Sequence, residues 1–261
     1  MTSPSWLRPL FARPVTRPIR KAPARCRPRV EALEDRTLPA SFTAGTAAEL
    51  VAAIAAANAA GGTNTIALTA PTTSPYTLTA VDNTTDGANG LPVIAAGNRL
   101  TIVGDGDAIQ RSTDAGTPAF RLFDVAAGAT LTLQGLTLNN GLAFGSGVSA
   151  QGGAIYSQGE LTLSGVTVRN NTAHGSNGAH ALSGQGGAGG DAFGGGVYVA
   201  GGTATLTNDT LDGNTAQGGD GGTGDLGHLA GGAGGNASGG GVYVAGGTAT
   251  VTNDTLSGNT A

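Results

Sequence analysis

Charge is scarce in this 261-residue chain, and so are aromatic rings and thiols. Only 11% of the residues are charged and 4% aromatic. No lysine follows Lys21, and residues 37–261 hold four arginines (Arg99, Arg111, Arg121 and Arg169) against 14 acids, a formal charge of −10. That sign excludes a nucleic-acid surface, which displaces phosphate counterions with Lys and Arg. Cys26 is the only cysteine, which excludes an intramolecular disulfide and a cysteine-built metal site. No apolar run approaches the roughly 18 residues of a transmembrane helix. With so few large rings, a thick globular core is excluded as well.

What the chain has instead is glycine, 47 residues of it, with 39% hydrophobic residues. Gly and Pro together come close to the range where disorder is the default. The apolar residues are nevertheless periodic, so the composition fits a thin core built many times over. The remaining positive charge is concentrated at the start. Residues 1–36 carry nine Lys or Arg and three acids, punctuated by Pro and without the apolar h-region of a cleavable signal. Residues 1–43 therefore read as a basic leader, a flexible tail or an export-related segment, and residues 44–261 as the body.

The body opens with one helix, predicted over 46–60. Thr46 and Glu49 form a capping box. Leu50, Val51, Ile54 and Ala57 share a face, Asn58 ends the stripe, and Gly61-Gly62 supplies the stop. Strand-period alternation follows at Asn64–Ala70, Tyr76–Ala80, Leu100–Ile102, Leu131–Leu133, Leu136–Leu138, Leu161–Leu163 and Val166–Val168, aliphatics on one side and Thr on the other.

An internal repeat decides the architecture. Gly194–Ala216 (GGGVYVAGGTATLTNDTLDGNTA) and Gly239–Ala261 (GGGVYVAGGTATVTNDTLSGNTA) differ only at Leu206/Val251 and Asp212/Ser257, and Gly152–Ala173 is a looser copy. Each unit holds three short extended pieces separated by Gly, Asn or Asp. Such a unit buries its inner face only by stacking on neighbours about 4.8 Å away. The expected fold is all-β, a right-handed parallel β-helix with three faces, closed at its N-terminal end by the amphipathic helix and extended by further coils after Ala261. In that stack Tyr156, Tyr198 and Tyr243 would form one ladder and Asn171, Asn214 and Asn259 another. The N-x-S/T triplets at Asn83, Asn170, Asn208, Asn236 and Asn253 largely coincide with the repeated turn.

Two resemblances sharpen this. Val30–Ala40 resembles an LEDR…PA element found at the head of large bacterial surface proteins, which implies export. Gly152-Gly153-Ala154-Ile155 matches the GGA(I/L/V) motif of polymorphic outer membrane protein repeats, and the unit is similar to pectate-lyase-like β-helices. Aliphatic residues replace the Phe of the companion F-x-x-N motif, and GGA becomes GGG in later copies. The resemblance implies a secreted, cell-surface or outer-membrane location and adhesin-like biology, with an extracellular polysaccharide or surface protein as partner.

Candidate binding residues sit in two Gly-rich inserts, His174–Phe193 and Gln217–Ser238, which interrupt the same point of the repeat and project from one edge with Gly141–Gln151. They carry His174, His180, His228, Asp191, Asp220 and Asp225. Flexible decoration and a binding surface are both open, since Gly loses the most backbone entropy on ordering. Gly186–Gly194 satisfies the calcium nonapeptide G-G-x-G-x-D-x-U-x with Asp191 as the carboxylate. It stands alone, because Gly231–Gly239 lacks the Asp. No catalytic constellation stands out. Asp105 and Asp107 read as turn residues, and Arg169 occupies a turn. The expectation is a non-enzymatic surface module, the alternative being a carbohydrate-active β-helix whose catalytic coils lie beyond residue 261.

Overall fold

The computed structural model describes residues 39–145, 148–224 and 230–261, which belong to the unit Thr37–Ala261. Cys26 and most of the LEDR…PA element lie outside them, as do Asp225 and His228.

Short apolar–Thr alternation produces strands that stack coil upon coil, every named pairing parallel. The longest sheet (A) contains Ala40–Ala44, Gly62–Leu68, Asn98–Val103, Thr130–Gln134, Glu160–Ser164, Thr203–Thr207 and Thr248–Thr252. Sheet B contains Tyr76–Leu78, Ala108–Arg111, Thr137–Asn139, Thr167–Arg169, Thr210–Asp212 and Thr255–Ser257, and sheet C Phe123–Val125, Ile155–Ser157, Val197–Val199 and Val242–Val244. These are the three faces of an all-β parallel β-helix. Register is fixed by side-chain parity: Leu100, Leu131, Leu161 and Ala204 align inward, while Thr65, Thr101, Thr132, Thr162, Thr205 and Thr250 align outward. A slip of one residue would turn every aliphatic to solvent.

The corners are set by single residues in the left-handed region. Between sheets A and B this residue is Gly135, Gly165, Asn208 and Asn253 in successive coils; after sheet B it is Asn140, Asn170, Gly213 and Gly258. Only Gly and Asn enter that region readily, which is why they alternate at these corners.

Helix α1 (Ala47–Ala60) has Thr46 as its N-cap, with Thr46 Oγ1 accepting the Glu49 N–H at 3.2 Å. The Glu49 carboxylate reaches one residue further back than a standard capping box and accepts the Gly45 N–H. Leu50, Ala53, Ile54 and Ala57 are buried in the core at the N-terminal end, with Val51 half-buried beside them. Asn58 is a fastener: its Nδ2 donates to the Val93 carbonyl and its Oδ1 accepts the Ala95 N–H, tying the helix to the next coil. Ala40–Ala44 pairs with Gly62–Leu68 as the outermost strand of sheet A. The β-helix therefore includes residues 40–43, which the sequence reading assigned to the leader.

Three consecutive coils, beginning with the one that contains Thr130–Gln134, carry two more short strands each. Sheet D is Leu142–Phe144, Thr172–His174 and Thr215–Gln217; sheet E is Ala150–Gln151, Ala192–Phe193 and Ala237–Ser238. They enclose a second, narrow core of Ala143, Ala150, Ala173, Ala192 and Ala216. Among the described residues, no helix is long and apolar enough to cross a membrane.

Candidate functional site

Sheets D and E carry the two Gly-rich inserts. These are not loose loops. Four runs, 175–181, 186–191, 218–223 and 230–236, lie side by side without helix or strand and are joined by main-chain hydrogen bonds of 2.7–3.3 Å. Donors recur every third residue. Gly175, Gly178 and Ala181 donate to Gln217, Asp220 and Thr223; Gly186, Gly189 and Ala192 donate to Ala230, Ala233 and Asn236. Gly187 and Gly190 cross to Ala179 and Ser176, and Gly222 and Gly219 cross to Gly187 and Gly190. A period of three with all bonds made between runs matches the pattern expected of polyproline-II chains, which have no internal hydrogen bonds. The runs approach so closely that a Cβ at Gly178, Gly189 or Gly222 would overlap the carbonyl oxygen of Gly187, Gly219 or Ala179. The flexible-decoration reading is thereby corrected: the entropy lost by each Gly is offset by bonds that only Gly lets the backbones reach.

Within this ridge Asn177, His180, Asp220, Thr223 and Asn236 are exposed at three-residue intervals and, with Asp191, pair between coils. Asn177 Oδ1 accepts the Asp220 N–H at 2.9 Å. His180 Nδ1 accepts the Thr223 N–H at 3.0 Å and lies 2.9 Å from Thr223 Oγ1. Asp191 Oδ1 accepts the Asn236 N–H at 2.6 Å. His174 is set apart at the base, where its ring stacks on Phe144 with centroids 5.5 Å apart. The ridge thus brings His180, Asp191 and Asp220 onto one ordered surface, without joining them in a single cluster. The nonapeptide Gly186–Gly194 is part of this ridge. Among the described residues no three of His, Cys, Asp and Glu come together as a metal group.

Beside the ridge run the ladders. Tyr156, Tyr198 and Tyr243 stack face to face with centroids 5.5 and 5.6 Å apart. Their faces cover one another, and Phe193 packs on Tyr243. The Asn ladder lies inside the corner. Asn171 Nδ2 donates to the Leu138 carbonyl and to Asn214 Oδ1; Asn214 Nδ2 donates in turn to the Val168 carbonyl and to Asn259 Oδ1. A parallel Asp step is set on the opposite corner. Asp209 accepts the Val166 and Thr207 N–H groups, and its own N–H donates to Asp254. Burial, opposed by the two backbone donors and aided by Asp254, lifts its carboxyl to about 6.

A buried polar cluster escaped the sequence reading. Where the tyrosine column would continue toward the N-terminus, Asp124 stands in register with Tyr156. Arg121 covers the other face of Tyr156 at 4.9 Å. Residues 82–91 fold over both: Asn89 forms a bridge with Arg121, its Nδ2 donates to Asp124 Oδ2, and Arg121 Nη1 donates to the Asp86 carbonyl. Burial, together with the charge of Asp86, raises Asp124 to about 6 despite the opposing Arg121. Burial lowers Arg121. An Arg isolated in an acidic body was the only available signal, and nothing local told which loop would cover it.

No protein-family model matches the chain, and no curated protein or solved structure shows significant similarity to it. The site therefore stands on its geometry.

Proposed function

We propose that this chain is a non-enzymatic β-helix module of a secreted or cell-surface protein, adhesin-like or structural in the envelope, whose glycine ridge contacts an extracellular polysaccharide or a surface protein. The supporting observation is the ridge itself. Two inserts 43–45 residues apart are locked in register, so that Asn177/Asp220, His180/Thr223 and Asp191/Asn236 repeat along one edge. Rigid, repeated polar groups suit a repeating ligand because little entropy is lost on binding. The similarity to polymorphic outer membrane protein repeats and the LEDR…PA element support the location. No cofactor is invoked.

The competing reading is a polysaccharide lyase or glycosidase, favoured only by Arg121 beside Asp124 and Asp86. Against it, Arg121 is buried and stacked on Tyr156, with its Nη1 already bonded to Asp86. The test is a panel of immobilised extracellular polysaccharides and surface proteins, scored for binding by the chain and by a His180→Ala/Asp220→Ala variant. Retention that the variant loses supports the proposal. Release of unsaturated uronates or reducing ends from the same panel would establish the enzyme instead.

A further inference from the structure

Asn89 and Asp124 are both 0% exposed, and each keeps its Oδ1 buried with no hydrogen-bond donor among the described residues. The two groups already share one bond, from Asn89 Nδ2 to Asp124 Oδ2 at 3.2 Å. The other amide hydrogen of Asn89 goes to Asn83 Oδ1 at 2.8 Å, so the amide has no donor left. An amide and a carboxyl group joined through one pair of atoms need a single proton to be joined through the other. An ionised Asp124 has none to give, and both oxygens then stay buried as unmet acceptors, which is destabilising. A protonated Asp124 donates through Oδ1 to Asn89 Oδ1 and completes the pair.

We propose that residues 82–91 form a proton-operated latch, closed over Arg121 and Asp124 while the Asp124 carboxyl is protonated and released once it is ionised. Few bonds hold this strap down. The Gly90 N–H donates to the Arg121 carbonyl at 2.8 Å, and the Arg121 N–H donates to the Ala88 carbonyl at 3.0 Å. Asp86 accepts from Arg121 Nη1 and from Gln158 Nε2, each at 2.9 Å. Gly87 lets the strap lie against the guanidinium: its φ is +115°, and a Cβ there would stand 2.9 Å from Arg121 Nη2. Val81 and Leu91 pack on the core at the two ends, so the stretch between them lifts while the coils stay stacked. The charged and titratable groups around Asp124 are Asp82 and Asp86 of the strap, Arg121 of its own corner and Tyr156 of the next coil. Asp82 is exposed and bonded to Asn83. Burial and the charge of Asp86 hold the closed-state carboxyl at about 6 against the pull of Arg121. Released into water, it returns to about 3.9. Closure is therefore firmest below about pH 4 and weakens until about pH 6.

The experiment follows amide hydrogen exchange of the full chain from about pH 4 to about pH 7, each rate referred to the intrinsic exchange rate at that pH. Protection of the Gly90 and Arg121 amides should fall by up to about 100-fold, as the two carboxyl values require, and level off above about pH 6. The Gly104 amide, bonded to the Gln134 carbonyl away from the strap, should keep its protection, because the opening is local. Asp124→Asn, whose amide supplies the missing donor, should hold Gly90 and Arg121 protected at pH 7. Asp86→Asn removes the neighbouring charge at an exposed position and should move the levelling-off to lower pH. The wild-type titration and Asp86→Asn leave Asp124 untouched, so a folding defect in the Asp124 variant does not spoil the result. An equal loss at Gly104, Gly90 and Arg121 protection that ignores pH, or either variant titrating like the wild type would overturn the latch.

Discussion

Asn214 commits its whole side chain to the coils on either side of it. Its Oδ1 accepts from both the main chain and the side chain of Asn171, and its Nδ2 donates to Val168 and to Asn259. Asn214→Ala leaves several buried partners unsatisfied at once, each worth about 1–3 kcal/mol. The expected loss is about 2–4 kcal/mol by urea denaturation, whereas Asn177→Ala, on the exposed ridge, should change stability by no more than about 0.5 kcal/mol. Asp124 makes a different prediction. Its carboxyl titrates near 6 when folded and near 3.9 when unfolded, so the folded chain binds more protons between those values. Stability gained below pH 4 is therefore lost as pH rises to about 6. Asp209 adds a change of the same sign. Asp124→Asn, which mimics the protonated form, should flatten the decline and raise stability at pH 7 by up to about 2–3 kcal/mol. Denaturation midpoints across pH 4–7 check this, and an unchanged slope would contradict it.

The elements differ in how far they could be read in advance. Strand alternation and the helix were legible because each has an apolar period, and Thr46, Glu49 and Gly61 mark the helix ends directly. The Tyr and Asn ladders were legible because the same residue recurs at the same place in each unit. The ridge was not. Its signal is a period of three in glycine with no apolar partner, and its bonds run between main-chain groups that sequence does not label. The cover of Arg121 by residues 82–91 was hidden for a related reason, since the partners are 35 residues apart and meet through one loop. Ala40–Ala44 was missed because its partner strand lies beyond the helix. The ridge yields a sharp prediction. Gly222→Ala places a Cβ against the Ala179 carbonyl, far from the aliphatic core. Exchange protection of the Gly178, Gly187 and Gly222 amides should fall more than tenfold, while the melting temperature of the coils moves by no more than about 2 °C. A matching collapse of the coils would mean that ridge and core fold as one.

At the scale of the whole molecule, the β-helix holds together through neighbour-to-neighbour contacts, each coil burying the face of the last. Its aliphatics form one continuous cluster, from Leu50 and Ile54 of α1 to Leu206 and Leu211 near the other end. The decisive quantity is the rise per coil, because every ladder and the ridge depend on parallel strands in fixed register. It can be measured by pulsed electron–electron spin resonance between nitroxides on the outward Thr column of sheet A, in a Cys26→Ser background. Thr65 and Thr250 are five rungs apart and Thr101 and Thr250 four. The strand spacing predicts narrow distributions near 24 and 19 Å, differing by about 4.8 Å. Broad distributions, or two means that do not differ by one strand spacing, would contradict the stacked β-helix.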